Sequence, residues 1–429
     1  MRIPTRGVKV TVAAGERRPR SQVYRWLIIG LAWVLASAAV LVGSRYAVGA
    51  WVGDPGTVPA TVLDARSFGD ASAPVTDRAV AGSARLIPVR PQVLLDSREV
   101  GALPAGVDVT VPMPETTAGT RVVLVEISIL AAKGPGEVTV GQGTDRTVVL
   151  RVPKAGAQLS ATVVAHLAPD GDLRASTTSG GDLLVRLIGV FEPAERSDAG
   201  RIVAVPPARV VTLVPRTDGK RARVALAEVR QLADAGPISA VILRVSADVG
   251  SKGGLVSAGT RAGDLNQTVY WSATSGTDRT RSGLMVIPVS DGSVHLRYEA
   301  GTEMRADLVG YVTGTGAPES TEGLVVPVPP HTPEPVRATE RSDVEIPLGT
   351  TETLANVPVD RIAAALVTVT ATGDAEGGVK VGGKPTLTAS KGVARSALTL
   401  VETPQARVRV QSAVAGTVAV TPHALVLTG

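Results

Sequence analysis

TRVVLVEISILAAKGPGEVTVG, residues 120–141, aligns without gaps with ISAVILRVSADVGSKGGLVSAG (238–259), and IAAALVTVTATGDAEGGVKVGG (362–383) fits the same frame. Within the first stretch the side chains alternate: Val123, Val125, Ile127 and Ile129 take one face, Glu126 and Ser128 the other. Successive side chains of an extended chain point to opposite faces, so this period of two marks a strand covered on one side only. The paired glycines Gly253–Gly254 and Gly377–Gly378, each after a valine-rich run, predict hairpins.

The same threefold recurrence extends outward. RLIPVRP (85–91), RIVAVPP (201–207) and LVVPVPP (324–330) open alike, and DGDLRASTTSGGDLLVRLIGVF (170–191) aligns without gaps with DGSVHLRYEAGTEMRADLVGYV (291–312). The period is about 120 residues, a whole domain per copy rather than a solenoid repeat or propeller blade. Leu183, Val185 and Leu187 share a face, with Met304, Ala306 and Leu308 at the corresponding places; in the third copy Val408 and Val410 alternate with Arg407, Arg409 and Gln411. Asp170-Gly171 and Asp291-Gly292 read as hairpin turns, and Val224 to Ala233 as a helical turn or two. About seven short strands per copy predict an all-β chain of three tandem antiparallel β-sandwich-like domains, with a small closed barrel as the alternative. Their expected bounds are 85–192, 201–313 and 323–429, joined by short linkers as a semi-extended rod.

The amino-terminal part is different in kind. Trp26 to Gly43 (WLIIGLAWVLASAAVLVG) is uncharged and apolar, and Arg25 and Arg45 bound it. That length suits a single transmembrane helix over 26–44, with Trp26, Tyr46 and Trp51 near its two boundaries. Residues 1–25 carry seven basic side chains against Glu16 alone, about +6 for the tail. The whole chain is +5, so the rest sums to about −1. Positive charge beside an apolar span predicts a cytoplasmic tail at the plasma membrane, with the bulk extracytoplasmic behind a flexible spacer at 45–84. A cleaved signal peptide ending at Val48-x-Ala50 is the alternative. The pI near 9.6 therefore does not argue for nucleic acid, which needs the charge on the folded surface.

PQVLLDSR (91–98), LPAG (103–106) and the closing GGDLLVRLIGVF (180–191) resemble a repeat domain of secreted actinobacterial proteins, with an LLDTR-like opening and a DV-x-GYF-like close. The second copy keeps the close in ADLVGYV (306–312), while its opening has drifted to LVPR (213–216); the third has Leu425 to Leu427 where the glycine–aromatic pair would stand. The order of basic tail, single anchor and degenerate copies also resembles an actinobacterial membrane-anchored extracellular family of unknown function. This resemblance implies display in the cell envelope and β structure, and it brings no catalytic residues.

Chemistry-bearing residues are sparse. There is no cysteine, hence no thiolate nucleophile and no cysteine metal site. His166, His295, His331 and His423 lack metal-ligand spacing, and no serine sits in a nucleophile elbow. Asp96 and Arg98 share a strand face and read as an ion pair or a cap of the next turn. Asp170, Asp172 and Asp182 are too scattered for the dense oxygen set calcium wants. Asn266-Gln267-Thr268 matches a glycosylation sequon, and Gly314-x-Gly316 is not followed by a helix, so it is no nucleotide loop. With aromatics at only 3%, the adjacent pair Tyr270 and Trp271 is the candidate contact for sugar or peptide, one of the two facing the core. The expectation is a non-enzymatic, single-pass envelope protein, without metal or cofactor. It holds the membrane through Trp26 to Gly43 and displays its domains as a scaffold or interaction module for an envelope protein or glycan. The alternatives are an accessory subunit of a membrane-bound envelope-synthesis complex, or a wall-polymer hydrolase with dispersed carboxylates.

Overall fold

The computed structural model describes residues 79–429 apart from 118, 142–145, 214–219, 250–252, 273–279, 300–302, 330 and 332. The basic tail, the apolar span and most of the spacer lie outside the described residues. Among the described residues no helix is long and apolar enough to cross a membrane. The fold is all-β, and the same connectivity occurs three times.

In sandwich I, β1 (Ala84–Asp96), β3 (Val122–Ile129), β6 (Leu159–His166) and β8 (Leu183–Pro193) pair in the order β6-β3-β8-β1. The other layer is β2 (Val107–Val111), β7 (Leu173–Thr177), β4 (Gly136–Val140) and β5 (Thr147–Val152), in the order β2-β7-β4-β5. Sandwich II repeats this with β9 (Ile202–Leu213), β10 (Lys220–Ala225), β11 (Ile238–Asp248), β12 (Gly254–Gly259), β13 (Gln267–Trp271), β14 (Thr280–Pro288), β15 (Ser293–Glu299) and β16 (Glu303–Thr313). Its sheets run β14-β11-β16-β9 and β10-β15-β12-β13. Eight antiparallel strands alternating between two four-stranded sheets in this order are jelly-roll connectivity.

Sandwich III has β17 (Val325–Pro327), β18 (Val336–Ala338), β19 (Ser342–Pro347), β20 (Ile362–Gly373), β21 (Gly377–Val381), β22 (Lys384–Ala389), β23 (Arg395–Glu402), β24 (Arg407–Ser412) and β25 (Gly416–Leu427). Its outer sheet is β19-β24-β21-β22, while β17 and β18 divide between them the edge beside β25. Prolines at 327, 329, 330, 333 and 335 explain the division, because proline cannot donate to a ladder. The edge strands β1 and β17 meet at Ala84↔Val325, so the inner sheets of I and III are continuous.

Several expectations need correcting. Each copy has eight strands or more, not seven, because the paired-glycine and Asp-Gly turns do not close hairpins. They carry the chain from one sheet to the other, as from β3 to β4 and from β6 to β7. Asp291 and Gly292 do take the positive φ that such tight turns demand (54° and 61°). Val224 to Ala233 contains two short 3₁₀ turns, Leu226–Glu228 and Arg230–Leu232.

The larger correction concerns the central strands of the inner sheets, which are buried on both faces. Strand β3 is buried at every position, Glu126 and Ser128 included. One face packs against its own sandwich, where Val123, Val125, Ile127 and Ile129 join the core of I. The other face meets the neighbouring sandwiches in a cluster drawn from all three, which includes Leu124, Ile188, Ile242, Val309, Leu366 and Val426. Burying a side chain of that size contributes roughly 1.5–3 kcal/mol, so a rod touching only at its linkers would forfeit a whole core. Instead the contacts run cyclically: β6 packs on β13, β14 on β22, and β23 on β5. The linkers are pinned as well, with Leu86 N donating to Gly200 O and Ile202 N to Gly323 O, both at 2.7 Å. Gly200 and Gly323 have φ of +79° and +82°, and a Cβ on either would lie within 2.8 Å of the carbonyl it approaches.

One further device is common to the three. In β8, β16 and β25 the register slips by a residue opposite Leu124, Ile242 and Leu366 respectively. The extra residues are Ile188, Val309 and His423. Such a bulge re-aims side chains, and here it turns Ile188 and Val309 into the shared cluster.

Candidate functional site

Several buried groups with shifted chemistry lie at the seams between sandwiches. The aligned positions Glu126, Arg244 and Thr368 share a strand face with Leu124, Ile242 and Leu366. Glu126 has a fully buried side chain; it accepts from Arg186 Nη1 at 2.5 Å, and across the seam from Thr268 N at 2.8 Å. Burial pushes its carboxyl up to about 7, against the pull of the Arg186 charge and the two hydrogen bonds. In sandwich II the polarity is reversed: Arg244 pairs with Asp307 at 3.2 Å, and Asp307 also accepts from Arg209 Nε at 2.6 Å. Burial lowers the Arg244 guanidinium, which the Asp307 charge opposes. In sandwich III Thr368 has no charge, and its hydroxyl meets His423 Nε2 at 2.7 Å. Burial, and then the charges of His166 and His331, depress His423 to about 4.

His166 and His331 are also engaged, with Nε2 at 3.0 Å from Val328 O and at 3.2 Å from Leu348 O. His295 stands apart from these, on β15 of the outer sheet of II. Among the described residues no group of three or more His, Asp or Glu could hold a metal.

The candidate contact pair divides as strand geometry requires. Trp271 is 4% exposed and belongs to the core of II, while Tyr270 is half-buried. Sandwich I covers this stretch of β13: Tyr270 N donates to Ser160 Oγ at 3.0 Å, and Ser272 Oγ both donates to Gln158 O and accepts from Gln158 N. Trp271 is thus packing, and Tyr270 lies along the seam between I and II. The sequon residues Gln267 and Thr268 are buried in the same strand.

Asp96 and Arg98 do not share a strand face, because β1 ends at Asp96 and Arg98 lies in the helical turn that follows, yet they make the pair and the cap. Asp96 caps the one-turn helix Ser97–Val100 by accepting from Arg98 N at 3.1 Å, and it pairs with the Arg98 guanidinium at 2.5 Å. The Arg98 hydrogen bonds hold the Asp96 carboxyl below the usual carboxylate range. Asp170 is engaged by Arg174 and by Asp172 N, and Asp172 accepts from Met113 N at 3.4 Å. Asp170 and Asp172 line an open groove of about 380 Å³ together with Glu115 and Arg121. A second hollow in I, about 300 Å³, is lined by Val140, Val164, His166, Leu167 and Arg174. It offers an apolar floor and two nitrogen-bearing groups that already have protein partners.

No family model matches the chain, and no curated protein matches it. Among solved structures it is similar to the N-terminal CBM22-1–CBM22-2 tandem domain of Paenibacillus barcinonensis Xyn10C, at 13% identity over 55% of this chain and 100% of that one, with a TM-score of 0.15. It is also similar to the triple jelly roll of an archaeal virus turret assembly, at 9% identity over 76% and 84% of the two chains, with a TM-score of 0.17. Likenesses at these scores carry no argument about this chain.

A sequence signal for the seams lies on the strand face opposite each sandwich's own core. Leu124, Ile242 and Leu366 are apolar at aligned positions where a solvated face calls for polar residues.

Proposed function

We propose that this chain is a single-pass cell-envelope protein that displays its three sandwiches outside the membrane as a non-enzymatic scaffold or interaction module. The observation that carries this reading is where the shifted titratable groups go. An enzyme working through carboxylates keeps a perturbed acid in an open cleft, whereas the raised carboxyl here, Glu126, is sealed between sandwiches by Arg186 and Thr268. That disposition tells against the wall-polymer hydrolase and makes the buried polar groups a means of seating one sandwich on another. What remains for partners is the solvent face of each outer sheet and the turns that join the sheets.

The membrane part of the proposal rests on the apolar run 26–44 beside its basic tail. Protease added to intact cells should degrade the sandwiches while the anchor stays in the membrane fraction. Fragments that survive on intact cells and vanish on lysis would reverse the orientation, and a released protein beginning near Trp51 would replace the anchor with a cleaved signal.

A further inference from the structure

The solvent faces of the three outer sheets can be compared position by position, because the buried residues Val111, Val224 and Ile346 put β2, β10 and β19 in a common register. Counting back from them, Asp108, Arg221 and Asp343 are equivalent, as are Thr110, Arg223 and Glu345. Opposite the first set stand Ser176, Arg297 and Gln411; opposite the second stand Arg174, His295 and Arg409.

In I and III these pairs are complementary. Arg174 donates to Thr110 and to Asp170, and Asp108 pairs with Arg146. Arg409 Nε lies 2.7 Å from Asp343 Oδ2, and Arg407 3.8 Å from Glu345. In II the same places set Arg221 against Arg297 and Arg223 against His295. Like charges directly opposite on an antiparallel pair are destabilising, and the two sister sheets demonstrate that the fold accepts acids there. Glu299 is the one carboxylate in β10 and β15, and Arg297 takes it at 2.5 Å. Arg221 and Arg223 are exposed and have no acidic partner among the described residues. Beneath them is a hollow of about 170 Å³, lined by Arg221, Arg223 and His295 together with Ala262 and Leu265.

We infer that this face binds an anionic glycan, whose phosphate or carboxylate groups are held by Arg221 and Arg223. Guanidinium forks match both anions bidentately, and Arg221 and Arg223, alternate residues of β10, present theirs on one face. Ala262 and Leu265 give the hollow an apolar wall against which the hydrocarbon face of a sugar ring can rest, a feature a bare phosphate would not use. The inference takes envelope display as its setting but does not need it to be tested.

The deciding variant gives II the residues that III carries at the same positions, Arg221→Asp with Arg223→Glu. Full-length protein in detergent is titrated with poly(glycerol phosphate), polygalacturonate, neutral dextran and duplex DNA, at low and at moderate salt. The native chain should bind one or both anionic glycans, more weakly at higher salt, and should ignore dextran. Preference between the two tells phosphate from carboxylate. The variant should lose at least tenfold in affinity while its thermal midpoint holds or rises, since the new acids face Arg297 and His295. Equal binding by variant and native protein, equal binding of dextran, no binding of either anionic glycan, or tighter binding of DNA than of both would each overturn the assignment. An interior location for the sandwiches would sink the display proposal and leave this binding result standing.

Discussion

The seam position of sandwich I and its counterpart in sandwich III solve one problem by different chemistry. Glu126 in I is ionisable, fully buried and held by a guanidinium and a backbone N–H from sandwich II. Thr368 in III is a neutral hydroxyl satisfied by a depressed histidine of its own sheet. Both leave the seam without a bare polar group, which is what burial demands. Only the first ties stability to a counter-charge, so the two should respond very differently to loss of the side chain. Above about pH 7, where Glu126 is ionised, breaking this buried ion pair by removing one partner costs about 3–5 kcal/mol, and Glu126→Ala also strands the Thr268 N–H. Thr368→Ala strands the buried Nε2 of His423 and should cost about 1–3 kcal/mol, the penalty of one unsatisfied neutral polar group. Denaturant midpoints of the two variants measure this directly; equal losses would mean that the carboxylate does not hold the seam.

The same comparison extends to the residue at the bulge that faces the central strand. Gly189, Gly310 and Ala424 are equivalent, each opposite the leucine or isoleucine at the middle of the shared cluster. A Cβ on Gly310 would lie 2.6 Å from Leu400 Cδ2 and 2.8 Å from the Val203 carbonyl oxygen, so both side chain and backbone must shift. On Gly189 the close neighbour is the flexible Leu86 Cδ1, at 2.9 Å. Gly310→Ala should therefore cost roughly 1–3 kcal/mol as an overpacked core, and Gly189→Ala distinctly less. A reversed order in their thermal midpoints would place II and III differently from the contact described.

Protonation separates the two seams in sign. His423 is held near 4, well below an ordinary histidine. Below about pH 6.5 the unfolded chain takes a proton that the native chain refuses, so this stability is present above that pH and is lost as pH falls toward 4. By about pH 5.5 the loss is about 1.4 kcal/mol, one unit of pKa difference. Glu126, raised to about 7, acts in the opposite direction: its favourable protonation is lost as pH rises from the ordinary glutamate range through 7. The pH profile of the native protein is the sum of both, so the informative quantity is its difference from His423→Val, which installs the residue sandwich II has at that bulge. That difference should widen on acidification below pH 6.5, and a constant offset would show that His423 titrates as if in water.

How much of this was legible in the sequence follows from what periodicity can see. Alternation assigned the own-core face correctly at Val123, Val125, Ile127 and Ile129, at Met304, Ala306 and Leu308, and at Val408 and Val410. It failed on the opposite face, because Glu126 and Ser128 have the composition of a solvated surface while being buried in a seam. Charge pairs between neighbouring strands that are far apart in sequence, such as Arg244 with Asp307, leave no local spacing to read. The turn residues were recognised as turns, but glycine chemistry fixes the backbone angle and does not say which sheet the next strand joins. At the candidate contact, strand geometry correctly divided Tyr270 from Trp271, and only the packing of sandwich I beside β13 reveals that the half-buried member lies along a seam.

A more exposed carboxylate sets the lower end of the scale. Asp96 sits in the opening strand of sandwich I, caps the helix Ser97–Val100, and pairs with an Arg98 side chain that is 53% exposed. An exposed pair contributes little, while a lost N-cap costs typically about 1 kcal/mol. Next to it, Ser97 is fully buried and its hydroxyl receives Leu183 N at 2.8 Å, so the turn keeps a tertiary tie that does not depend on Asp96. Asp96→Asn preserves the capping acceptor and removes only the ion pair, so its denaturant midpoint should fall within a few tenths of a kcal/mol of the native chain. Asp96→Ala should drop by the cap alone. If Asp96→Ala were as damaging as Glu126→Ala, burial in a seam would not be what makes a carboxylate matter in this fold, and the contrast between sandwich faces would lose its physical basis.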